Sequence, residues 1–202
     1  MTIFAIINNL IDTPDDMIPV APVWTLVSAS SIIQGGNPYF VPDFADSFEM
    51  RMALAVKIGK LGKGVSARFA HRYVSGVAPC LMMVAADKLR QLKSEGLPWT
   101  QAISYDRSTV LGQFTEMSTE RIAKCSIDVL LKSSDRAEML EWQAGCMSCS
   151  IEETIECISR DNTLKTGDII IAGVADEGPE LHPGMRVRIA LDGVSSPSFN
   201  IR

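Results

Sequence analysis

A chain of 202 residues, 47% hydrophobic and 21% charged, has the size and make-up of a single globular domain. Its net charge of −5, with no basic run, lacks the electrostatic footprint of a nucleic-acid binder, and no apolar run approaches the roughly 18 residues that cross a bilayer. The N-terminal apolar run has no basic flank and no small-residue cleavage site, so it reads as a first strand rather than a signal peptide, and a cytoplasmic location is expected.

After the first strand, "TIFAIIN", residues 10–36 carry Pro14, Pro19, Pro22, Gly35 and Gly36 and read as loop with short strands. "PYFVP" is a short extended piece bounded by prolines that suit an edge. "FEMRMALAVKIGK" alternates with period two. Phe48, Met50, Met52, Leu54, Val56 and Ile58 form a core face, while Glu49, Arg51, Ala53, Ala55 and Lys57 form an odd second face of charge and alanine. A glycine-rich turn, "GKLGKG", follows; it lacks the spacing of a phosphate loop. "SARFAHRYVSG" predicts a short helix capped by Ser66 and ended near Gly76. "VAPCLMMVAA" predicts a buried strand, and "ADKLRQLKSEGLPW" a helix stopped by glycine, with Asp87 as its cap.

"VLGQF" is short and extended, and "KCSIDVLLK" alternates as a strand. "SIEETIECISRD" is an amphipathic helix opened by a capping box, Ser150 with Glu153. "TGDIIIAG" is a buried strand, and "MRVRIALDG" alternates with Met185, Val187, Ile189 and Leu191 inward. Strands outnumber helices, which is an α+β pattern with a mixed or antiparallel sheet system. Five scattered cysteines argue against a disulfide framework. Cys146 and Cys149 have C-x-x-C spacing, but no second pair, nearby histidine or basic neighbour accompanies them, so a structural role is expected.

The C-terminal stretch "ISRDNTLKTGDIIIAGVADEGPELHPGMRVRIALDG" resembles the fumarylacetoacetate hydrolase family, whose members run I-S-x-x-x-T-L-x-x-G-D and then T-G-T-P, a G-P turn and an alternating strand. "GLPW" with its flanks, "LAVKIGKLGK", "ARFAHRYVSGVAPCL" and "NPYFVPDF" extend the likeness over nearly the whole chain. The resemblance implies one domain over 1–202, a mixed β-sandwich roll with an N-terminal segment (1–36) and a catalytic-type core (37–202), usually a homodimer. It also implies Mg²⁺ or Mn²⁺ held by three carboxylates, two from an E-x-E and one from the next strand. A mobile His and Glu near the N-terminus handle water. Members cleave acylpyruvates or fumarylacetoacetate, decarboxylate oxaloacetate, or isomerise related acids.

This chain departs from that pattern at the chemistry. Arg51 and Ala53 stand at the E-x-E positions and Met82 at the third ligand. Asp12 and Asp15 stand at the His and Glu positions, Ile103 at a usual lysine, and Val174 and Ala175 at the Thr-Pro of T-G-T-P. Hard divalent cations need oxygen ligands, so no metal cofactor is expected. Two readings follow. In one, the fold is kept and catalysis is silent. In the other, a hydrolase, decarboxylase or isomerase of 2-oxo acids works without metal, with Asp12 and Asp15 as acid/base candidates and Arg51 binding a small anion. A salt bridge from Arg51 to Glu49, and a solvated turn at Asp12 and Asp15, are the plain structural alternatives. No nucleic-acid or membrane partner is expected.

Overall fold

A computed structural model describes residues 1–10, 21–34 and 36–202. Its elements are, in order, β1 (Ile3–Ile6), β2 (Trp24–Val27), β3 (Ile32–Gln34), β4 (Phe48–Ile58), α1 (Ala67–Ala70), β5 (Val74–Ala85), α2 (Ala86–Ser94) and α3 (Thr100–Ile103). There follow β6 (Thr109–Leu111), α4 (Thr119–Ile122), β7 (Ser126–Lys132), β8 (Ala137–Gln143), α5 (Ile151–Asp161), β9 (Ile169–Ala172), β10 (Arg186–Leu191), β11 (Val194–Ser195) and β12 (Phe199–Asn200).

Two sheets result. The larger runs β2-β1-β9-β4-β5-β6-β3 and is mixed, because β1–β9 and β3–β6 pair in parallel while the other pairs are antiparallel. The smaller runs β11-β10-β7-β8, with β12 also on β10, and is antiparallel throughout. Inward residues of both sheets, among them Leu54, Leu81, Ile170, Val129 and Ile189, belong to one hydrophobic cluster. This is the α+β pattern that the alternating strands predict, in the arrangement of two packed sheets that the family resemblance implies.

The long hairpin of β4 and β5 is the centre of the larger sheet. Its register is continuous from Phe48 opposite Ala85 to Lys57 opposite Gly76. Gly76 does not end a helix as its sequence context suggested. It lies inside β5, where a Cβ would crowd the Thr115 carbonyl oxygen at 3.1 Å. The preceding helix is correspondingly short, one turn of α followed by a 3-10 turn over His71–Tyr73, and Ser66 makes no side-chain cap bond.

Asp87 is not the cap of α2. Ala85 occupies the N-cap position, and the Asp87 carboxylate accepts hydrogen bonds from the backbone N–H groups of Asp46 and Ser47, at 3.0 and 3.4 Å. Ser47 Oγ in turn accepts from the Asp87 N–H. The residue therefore ties the entry of β4 to the exit of β5. By contrast, the capping box of α5 forms as the sequence predicts, with both reciprocal Ser150–Glu153 bonds present.

Candidate functional site

Both faces of β4 are covered. On the face that reads as polar, Ala53 and Ala55 are fully buried, and the Glu49 and Arg51 side chains keep only 18% and 14% of their surface. The chain after β9 borders β4 along its edge. Having paired with the second half of β4, it continues as a strap along the first half: Ala175 N–H donates to Met52 O, Met50 N–H to Pro179 O, and Leu181 N–H to Phe48 O. Gly178 is required here, because any Cβ would run into the Met50 carbonyl oxygen. The strap brings Val174 and Asp176 to a cavity that Arg51 also lines.

Directly opposed residues of antiparallel strands share a face. Arg51 of β4 therefore stands beside Met82 of β5, and Met82 beside Thr109 of β6. Ile103 at the end of α3 and Val174 close over this row, leaving a cavity of about 40 Å³ open to the centre of a water molecule. Arg51, Met82, Ile103 and Val174 line it together, joined by Lys93, Trp99 and Asp176. Ala53 is not among the lining residues; it is fully buried. Asp12 and Asp15 lie outside the described residues.

Arg51 Nη2 donates to Glu49 Oε2 at 3.1 Å, and the other oxygen of Glu49 faces Arg90 at 3.6 Å. The Arg51 Nε is buried and meets no acceptor among the described residues. The hydroxyl of Thr109, a fully buried residue, is likewise unpartnered. Lys93 holds its ammonium 5.4 Å from the centre of the Trp99 ring. Lys93 and Asp176 are not singled out by sequence reasoning. Trp99 is visible only as part of the "GLPW" turn.

A divalent cation does not fit this donor set. At the three expected ligand positions the guanidinium of Arg51, the methyl of Ala53 and the thioether of Met82 supply no anionic oxygen, the guanidinium adds positive charge where a cation would have to sit, and Asp176 is the one carboxylate among the lining residues. Among the described residues, no three His, Cys, Asp or Glu side chains converge.

The Cys146–Cys149 segment is held at its end by the Asn9 side chain. The buried Asn9 accepts from Cys149 N–H at 2.6 Å and from Ser148 Oγ at 3.0 Å, and donates to Cys149 O at 3.1 Å. Burial pushes the Cys149 thiol pKa up, which works against reactivity. Larger depressions elsewhere, such as a 570 Å³ surface basin beside Lys60, His71 and Arg72, are open to solvent.

Comparison with known proteins places these features. The bovine (Bos taurus) protein named oxaloacetate tautomerase FAHD1, mitochondrial, is 30% identical over 184 residues, covering 91% of this chain and 82% of its own. A Yersinia pestis CO92 protein assigned to the fumarylacetoacetate hydrolase family superposes with a TM-score of 0.89 at 20% identity, over 100% of this chain and 93% of its own. Fumarylpyruvate hydrolase from Pseudomonas aeruginosa, solved with Mn²⁺ and pyruvate, gives a TM-score of 0.82 at 19% identity, over 100% and 89% of the two chains. These structural likenesses establish the fold. The profile described as fumarylacetoacetate (FAA) hydrolase C-terminal matches residues 6–200, and the chain belongs to that family.

Proposed function

We propose that this protein keeps the family's fold but has lost its divalent-metal chemistry, so that it is catalytically silent toward acylpyruvates and fumarylacetoacetate. The observation that carries the reading is the row Arg51–Met82, where a cation paired to Glu49 and a thioether stand at positions the family gives to carboxylates. A Lewis-acid metal supplies several kcal/mol to such a reaction, and each ~1.4 kcal/mol is tenfold in rate, so its loss removes roughly a thousandfold or more. Calorimetric titration of Mg²⁺ and Mn²⁺ tests the reading. The native protein is expected to show no specific heat, and acylpyruvate consumption should equal that of a protein-free blank. Stoichiometric metal binding, or hydrolysis abolished by EDTA, overturns it.

The two cations that line the cavity, Arg51 and Lys93, favour a second reading, in which a 2-oxo acid is tautomerised or decarboxylated without metal. Oxaloacetate turnover in EDTA that falls with Arg51→Gln would establish it; equal turnover by both proteins would remove it. Both readings include the homodimer that the family resemblance implies. A dimer interface is expected to exceed about 1,000 Å², and sedimentation as a monomer at micromolar concentration would refute it.

A further inference from the structure

We propose that the outer face of the smaller sheet carries a binding site for a phosphate group, built by Lys132, Arg186, Arg188 and Ser198.

The first ground is register. β7 buries Ile127, Val129 and Leu131, and β10 buries Val187, Ile189 and Leu191, so the residues between them point to the opposite, outer face. There Lys132 stands directly opposite Arg186, and Leu130 opposite Arg188. Like charges facing each other across an antiparallel pair are destabilising. Arg188, two residues from Arg186 on the same face, adds a third cation. Among the described residues, none of the three is in an ion pair. The acids of this face, Asp128 and Glu141, stand opposite each other further along β7 and β8 and form no pair with the cations. In a chain of net charge −5, this end of the sheet is a local reversal of sign.

The second ground is shape. The three cations, with Leu130 and Ser198, line a depression of about 160 Å³, and no acid lines it. At ~10–15 Å³ for each water centre it holds on the order of ten waters. That is room for a phosphate and a few attached atoms, with Leu130 as apolar surface for the attachment.

The third ground is the donor set. Ser198 Oγ accepts from Arg186 Nε at 3.3 Å and from Nη2 at 2.9 Å, which orients the guanidinium and leaves the serine O–H to donate. A carboxylate offers two oxygens and one charge. A phosphate monoester offers three oxygens and about two charges. The second matches two guanidinium forks, an ammonium and a hydroxyl.

The test is calorimetric titration of the full chain with sodium phosphate and with glycerol 3-phosphate, at about pH 8 where both are dianions. Chloride holds ionic strength constant, and acetate is the monoanion control. Saturable one-to-one binding of both phosphates is expected, with acetate at least about tenfold weaker. Tighter binding of the ester assigns the site to a phosphorylated small molecule; equal binding assigns it to free phosphate. Arg186→Gln and Arg188→Gln should each weaken binding by about tenfold, and Lys132→Gln by about threefold. All three positions are exposed, so folding is not at risk. Without phosphate and at low salt, Lys132→Gln should raise Tm, because it removes the facing charge. No saturable heat from either phosphate, an equal response to acetate, or unchanged affinity in the double variant Arg186→Gln/Arg188→Gln overturns the proposal. So does a Tm for Lys132→Gln below the native value, which would mean that the facing cations do not repel. Sedimentation provides the last check: a native dimer that dissociates in the double variant would assign these cations to a second copy of the chain instead of a phosphate.

Discussion

Replacing Arg51 with methionine removes a buried cation and leaves a side chain of similar reach. Two opposing terms decide the cost. The lost hydrogen bond to Glu49 is 3.1 Å long and charge-assisted, with both side chains less than a fifth exposed. Such a bond is worth about 1.5–3 kcal/mol. Against it, the substitution deletes the unpartnered Nε, whose burial costs about 1–3 kcal/mol. The remaining Glu49 keeps its contact with Arg90 at 3.6 Å. The two ranges nearly cancel, so Arg51→Met is expected to change stability by no more than about 1.5 kcal/mol in either direction. Glu49→Gln should behave differently. It leaves the guanidinium buried without an anion, and breaking a buried pair from one side costs about 3–5 kcal/mol, here at the lower end because the site is partly open. The predicted result is therefore an asymmetry. Urea unfolding of both variants and the double variant, at one protein concentration and with slopes compared, measures it. A cost above about 3 kcal/mol for Arg51→Met, or a cost equal to that of Glu49→Gln, refutes the idea that this donor is unsatisfied.

Four other outcomes are expected. Thr109→Val removes a buried hydroxyl without a partner and should be neutral or stabilising by up to about 1 kcal/mol; a clear loss in urea melts would mean that the hydroxyl is bonded. Gly178→Ala forces a methyl against the Met50 carbonyl and should cost about 3 kcal/mol, or a fall of roughly 6–12 °C in Tm. Burial raises the Asp87 carboxyl pKa, but the N–H bonds from Asp46, Lys88, Ser47 and its own backbone outweigh it, so the folded value is lowered. Stability from this clasp is thus full above the unfolded pKa of about 3.9 and is lost as pH falls through the lower folded value; Asp87→Asn should flatten that acid limb in pH-dependent melts. Burial also pushes the Cys80 thiol up and holds Cys125 up to about 11, so at pH 8 a thiol reagent should spare both until denaturant is added; labelling of either in the native protein would contradict this burial.

The strands that read most clearly are those whose alternation is strong. The patterns at 48–58, 126–132 and 186–191 place Leu54, Val129 and Ile189 inward, and the structure agrees. β8 is not legible, because along Ala137–Gln143 only Trp142 is buried and the rest is charged or half-exposed edge. Gly76 misled as a helix stop because close approach of another backbone and a helix end favour the same residue. At the site, Arg51 and Met82 could be placed at the family's ligand positions because the "LAVKIG" and "MVAAD" stretches beside them resemble the family's motifs. The burial of Ala53 could not be read, since an alternating pattern does not say whether the second face of a strand is covered. Lys93, Trp99 and Asp176 converge from three different segments, and that meeting is purely tertiary.

The strap has a kinetic meaning as well. β4 is hydrogen-bonded along one edge to β5 and along the other to β9 and then to Ala175, Pro179 and Leu181. Such doubly bonded amides open to solvent with the global unfolding of a protein rather than by local fluctuation. Hydrogen–deuterium exchange should therefore find Met50–Ile58 among the most slowly labelled segments. Arg51 is thus presented from a platform that does not breathe. Whatever enters beside it meets a donor whose backbone entropy has already been spent in folding, and adaptation falls to side-chain rotamers such as those of Lys93 and Met82.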